Sequence, residues 1–146
     1  MQGSTFIGVD VHKATISVAV AMGERGGEVR HWRTVPHRPD HVRKLVDKLA
    51  ASGGRWCFCY EAGPCGYGLH RQLVEMGHDC IVVAPSLIPV KAGDRVKTDR
   101  RDAMMLAKLH RADELTAVWI PDAAHEAMRD LVRARARARA TAMRVP

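Results

Sequence analysis

TFIGVDVHKATISVAVAMGERGGEVRHWRTV, residues 5–35, is the stretch on which the fold turns. Its apolar and β-branched residues fall into three runs, Thr5 to Val11, Thr15 to Met22 and Glu28 to Val35. The polar pair His12-Lys13 separates the first two, and the segment Gly23 to Gly27 supplies the second turn. Strands joined by such short connections pair antiparallel, so the stretch reads as a three-stranded meander.

Downstream, Pro36 to Asp40 introduces a helix with Val42, Leu45, Val46 and Leu49 at helical spacing, closed by Ser52-Gly53-Gly54. Its other face is charged, so it should lie on a sheet. Trp56 to Tyr60 suits a buried strand. Gly63, Pro64 and Gly66 are expected to open a helix that runs through about Met76, with Gly77 past its end. Cys80 to Ala84 reads as a fifth strand. Two prolines and a glycine leave Pro85 to Val96 without a pattern, whereas Asp99 to Arg111 reads as a helix with Ala103, Leu106, Ala107 and His110 along one side. After a loop around Trp119-Ile120-Pro121, a last helix is expected from about Ala123. Met128, Leu131 and Val132 are its only large apolar anchors before an alternating Arg-Ala tract.

A meander, a helix, a strand, a helix and a strand is the element order of the α/β RNase H-like fold. Its five-stranded mixed sheet has three antiparallel strands, then two parallel ones, flanked by helices. In that fold the fourth strand lies beside the first, so Asp10 and Glu61, each late in its strand, should meet at one sheet edge. Asp99 and Asp102 are three residues apart and project from one helix face, which could add both to the same cluster. Four carboxylates packed together call for cations. Hard oxygen ligands suit Mg²⁺ or Mn²⁺, and a pair of such ions serves phosphodiester displacement. The plainer reading has Asp10 as a turn residue and Asp99 as a helix cap with Asp102 favoured by the helix dipole; capping and ligation are compatible.

The 146 residues suit one domain. Lys and Arg number 23 against 16 Asp and Glu, a formal charge of +7 that favours a polyanionic partner. Lys91, Arg95, Lys97, Arg100 and Arg101 surround the helix-borne acids and are expected to contact nucleic acid. His12 and Lys13 could touch a phosphate, but a polar pair at a hairpin is ordinary, and neither is placed among the catalytic residues. Gly63-Pro64-Cys65-Gly66 lacks the Lys-Ser or Lys-Thr of a nucleotide P-loop and reads as a tight turn. Cys57, Cys59, Cys65 and Cys80 show no zinc or disulfide spacing and read as reduced thiols. No apolar run could span a bilayer and no signal-peptide core is evident, so the expected location is cytoplasmic, with no membrane partner.

At GVDVHK (8–13), YEAGP (60–64) and KTDRRDA (97–103) the chain resembles the DEDD-type insertion-sequence transposases, the family numbered one hundred and ten, which includes pilin-gene-invertase-like members. The resemblance covers nearly the whole chain. It implies that Asp10, Glu61, Asp99 and Asp102 are the four metal-binding acids of a RuvC-like catalytic domain, and that none of the four is substituted. It implies metal-dependent DNA cleavage and strand transfer in transposition, with DNA as substrate, a structured guide RNA as partner, and a second domain bearing a nucleophilic serine. That second domain is absent from this chain, which reads as an N-terminal part: residues 1–115 as the catalytic domain, residues 116–146 as a linker and the start of a basic, coiled-coil-like helix. This helix should project and pack in a homo-oligomer.

Two rival readings stay open at this point. A noncatalytic nucleic-acid-binding module on the same scaffold would be expected to have lost its acids. An actin-like or sugar-kinase-like ATPase lobe would need a second lobe and an adenosine loop.

Overall fold

The computed structural model describes residues 4–23, 26–88 and 99–143, with the side chains of Asp99, Arg100 and Met143 outside that description. The meander is β1 (Ser4–Val11), β2 (Thr15–Ala21) and β3 (Val29–Pro36), and two further strands follow, β4 (Arg55–Glu61) and β5 (Asp79–Val83). All five form one sheet in the order β3-β2-β1-β4-β5. The β1–β2 and β2–β3 pairs are antiparallel, and the β1–β4 and β4–β5 pairs are parallel. This is the five-stranded mixed sheet expected of an RNase H-like fold.

Two helices make the crossovers, α1 (Pro39–Ala50) from β3 to β4 and α2 (Gly68–Glu75) from β4 to β5. Both connections move the same way across the sheet, so right-handed crossovers place both helices on one face. There Val42, Leu45, Val46, Leu49, Leu69 and Leu73 close over Ile7, Val9, Ile16, Val18, Phe58 and Tyr60 in the main core.

The second helix starts later than Gly63-Pro64-Gly66 implies. Gly66 adopts φ +72°, and its N–H bonds back to the Gly63 carbonyl at 3.1 Å. The chain therefore makes a left-handed turn there, and helical backbone begins only at Gly68.

The other face is covered by α3 (Asp99–Arg111). Ala103 and Ala107, both buried, pack on Ala19 and Ala21 of β2. Leu106 joins Cys59, Val83 and Ile88 in a separate cluster. Small residues on both surfaces let helix and sheet approach closely. Arg111 ties the far end of α3 to the sheet by donating to the Met22 and Gly27 carbonyls at 3.1 and 2.9 Å.

The segment after α3 returns to the sheet. Ala117 bridges Val83, the Val118 N–H donates to the Val82 carbonyl at 2.8 Å, and Pro121 is fully buried. The last helix, α4 (Ala123–Met143), is exposed at every described side chain from Ala127 to Ala142. It projects from the domain as its thin apolar content implies. Among the described residues no helix is long and apolar enough to cross a membrane.

Candidate functional site

The parallel pairing of β1 with β4 runs in register from Ser4–Arg55 to Val9–Tyr60. One step further brings Asp10 level with Glu61 on the neighbouring strand, about 4.8 Å away in the pairing direction. Val9 and Tyr60 face the main core, so by alternation Asp10 and Glu61 face the α3 side. Asp10 follows Phe6 and Gly8 on that face; Glu61 follows Cys57 and Cys59. Asp10 is buried, at 9% exposure, and Glu61 is half-buried.

Three contacts orient α3 against these strands. His110 meets Phe6 edge-on, with ring centroids 5.1 Å apart. Gly8 lies under the Ala103 carbonyl and the Ala107 amide. The Cys59 thiol donates to the Leu106 carbonyl at 3.6 Å. Moving along β1 from Phe6 to Gly8 therefore moves backward along α3 from His110 to Ala103. The helix runs antiparallel to β1 and β4, and its first turn lies over their carboxyl ends. Asp102 is one turn before Leu106, which sits on Cys59, and its half-buried side chain belongs to that first turn. Asp99 is the first residue of α3, one turn before Ala103; its side chain lies outside the described residues.

The deep acid has a partner in His12, which the sequence marks only as a possible phosphate contact and not as a partner of Asp10. His12 Nε2 donates to Asp10 Oδ2 at 2.8 Å, and His37 Nδ1 in turn donates to the His12 carbonyl at 2.8 Å. A histidine two residues beyond a strand-end acid is the signal that could have marked it. Among the described residues no three Asp, Glu, His or Cys side chains come close enough to hold a metal ion. What the described part supplies is an oxygen-rich sheet end of hard donors, the chemistry that suits a hydrated divalent cation.

Of the expected basic contacts, Lys91, Arg95 and Lys97 lie outside the described residues, as does the side chain of Arg100. Arg101 is exposed on α3. The thiols do not belong to the site. Cys57 and Cys59 share the α3 face and are buried, and Cys80 is buried on the opposite one. Burial pushes the Cys59 thiol up and the Cys80 thiol up to about 12.

Four similarities to known proteins bear on this geometry. Residues 7–145 match the transposase family of DEDD enzymes of the IS110 type. The chain is 58% identical over 130 residues to the transposase-named protein y4qE of Sinorhizobium fredii, covering 89% of this chain and 33% of that one. It is 36% identical over 136 residues to the transposase for insertion sequence element IS1533 of Leptospira borgpetersenii, covering 92% of this chain and 39% of the relative. The chain thus spans between a third and two-fifths of the length of these relatives. In three dimensions it resembles the RuvC structure of Thermus thermophilus, with a TM-score of 0.50 and 11% identity over 78% of this chain and 99% of that one. At that identity the likeness speaks for the RNase H-like fold alone.

Proposed function

The chain belongs to the DEDD transposase family of the IS110 type, and from that premise we propose that the carboxyl end of β1 and β4 is a metal-dependent centre for DNA strand cleavage and transfer. The observation that carries the reading is the β1–β4 register, which sets Asp10 level with Glu61 beneath the first turn of α3. In this reading Asp10 and Glu61 hold Mg²⁺ or Mn²⁺ from the sheet, and Asp102 and Asp99 from the helix. Such ions, held by these four carboxylates, would supply activation of the attacking oxygen and stabilisation of the leaving one.

The chain's own groups then have distinct tasks. His12 fixes the orientation of the Asp10 carboxylate through its bond to Oδ2. The packing of α3 on Gly8 and Cys59 sets the height of the helix-borne acids above the strand-borne ones. Arg101, with Lys91, Arg95, Lys97 and Arg100, receives the phosphate backbone. Completion of strand exchange would draw on the serine-bearing domain and the guide RNA that the family resemblance implies, in an oligomer joined through α4.

Manganese binding tests the reading. The wild-type chain should bind Mn²⁺ saturably, and Asp10→Asn should weaken that binding by about ten-fold or more, the loss of one charged ligand being worth above about 1.4 kcal/mol. Its thermal midpoint should not fall, because the substitution leaves no cavity. In the longer transposase the same variant should abolish DNA cleavage. Equal Mn²⁺ affinity in the two proteins would refute the metal centre and favour the noncatalytic nucleic-acid module. The ATPase-lobe alternative is set aside by family membership.

A further inference from the structure

The sheet face that carries Asp10 and Glu61 continues as a polar row toward its open edge. Ser17 of β2 is the register partner of Asp10, and Thr34 of β3 is the register partner of Ser17. Opposed residues in antiparallel strands share a face, so Glu61, Asp10, Ser17 and Thr34 form one line across four strands. The line is hydrogen-bonded at its outer end. Ser17 Oγ lies 3.0 Å from Thr34 Oγ1, which lies 3.3 Å from His31 Nε2. Ser17 is 2% exposed, whereas Thr34 is exposed on the edge strand.

A hydroxyl has one proton and two lone pairs. One hydrogen-bond arrangement that fits these distances has Ser17 Oγ–H and His31 Nε2–H both donating to Thr34 Oγ1, which occupies both lone pairs and directs the Thr34 proton outward. That is a donor without net charge, aimed at solvent, two strand spacings from Asp10, or about 9.5 Å. The Ser17–Thr34 bond pairs the two strands and satisfies the buried Ser17 hydroxyl; the outward donor on Thr34 is left to be explained.

We propose that Thr34, held by Ser17 and His31, is a subsite for a backbone phosphate neighbouring the one handled at the acidic centre. The proposal rests on the reading of that centre as a nucleic-acid-cleaving one, and extends it by giving the substrate strand a direction, outward across β2 and β3. Phosphate oxygens accept readily from hydroxyl donors, and such bonds set register without reading sequence.

The test is binding of a fluorescein-labelled single-stranded DNA oligonucleotide to the 146-residue chain, by anisotropy, across a salt series in Mg²⁺. Thr34→Val should weaken binding about ten-fold at every salt concentration, the expected worth of a hydrogen bond to a charged acceptor. Because the deleted donor is neutral, no counterion release changes and the log–log salt slope should stay as in wild type. Thr34→Ser should restore affinity. Valine matches threonine in shape and strand propensity but leaves the buried Ser17 hydroxyl without this partner, so the thermal midpoint should drop modestly; Thr34→Ala provides a second deletion of the same donor, with the same loss of affinity expected. Wild-type affinity in Thr34→Val and Thr34→Ala would overturn the subsite alone. Absence of DNA binding by the wild-type chain would overturn the reading of the acidic centre and the subsite with it.

Discussion

Gly8 has no Cβ, and the space one would fill belongs to the backbone of α3, to the Ala103 carbonyl and the Ala107 amide. Neither can swing aside as a side chain could, so Gly8→Ala must push the helix off β1. We expect a loss of about 1–3 kcal/mol, typical of forced overpacking, read by denaturant unfolding. Because α3 carries Asp99 and Asp102, Mn²⁺ affinity should fall in the same variant; full stability with full affinity would contradict the close packing. Nothing in TFIGVDV marks this glycine, because alternation along a strand tells which face a residue takes but not how near the opposing layer comes. The same alternation does place Asp10 opposite Val9, Glu61 opposite Tyr60, and Cys57 with Cys59. Face assignments at this scale were therefore legible. Side-chain partners were not: the bond from His12 to Asp10 depends on how the β1–β2 connection folds back, with the His12 N–H reaching the Thr15 carbonyl at 2.9 Å.

The entry to α2 shows what an element owes to residues far from it. Tyr67 stands at its N-cap without a side-chain cap from its own neighbourhood. The acceptor comes from α4 instead: Glu126 Oε1 takes the Tyr67 N–H at 3.0 Å, and Glu126 Oε2 pairs with Arg71. Gly66 leaves room for that carboxylate, since a Cβ there would strike Oε1. A cap supplied across 59 positions explains why GPCGYG, read locally, placed the helix start several residues early. Local capping rules search only the next few residues. It also joins the base of α4 to the loop that follows Glu61. Glu126→Ala removes both bonds and should cost about 1–2 kcal/mol, the usual worth of a missing cap with a partly exposed ion pair. Amide hydrogen exchange should quicken in the first turn of α2 and in the start of α4 while α1 is unchanged. Unaltered exchange in α2 would show that the carboxylate does not cap it.

For the molecule as a whole, the sheet and its two helical layers account for the buried residues, and α4 accounts for most of what is left over. Met128, Leu131 and Val132 are more than half exposed, and Arg133, Arg135, Arg137 and Arg139 follow on a fully exposed helix; Arg144 lies outside the described residues. The element order that yields the sheet was readable because each strand and crossover announces itself by period and punctuation. The projection of α4 was readable only by subtraction, as a helix too poor in large apolar residues to be held by the domain beneath it. Residues two apart on a helix differ by roughly 200°, so the arginines surround the axis and form no single stripe. No face of the domain could neutralise them all, whereas a nucleic-acid backbone in a larger assembly could, with the three apolar residues seated against a partner chain. Shortening the chain to end at Asp130 should leave the thermal midpoint of the domain unchanged, since the bonds made by Glu126 remain. It should also flatten the log–log dependence of single-stranded DNA affinity on salt by about 0.7 for each phosphate that the shortened chain no longer neutralises. This response is the opposite of the parallel shift expected at Thr34, so the two variants separate charged from neutral groups on the same oligonucleotide. A slope equal to that of the 146-residue chain would mean that the arginines meet solvent alone.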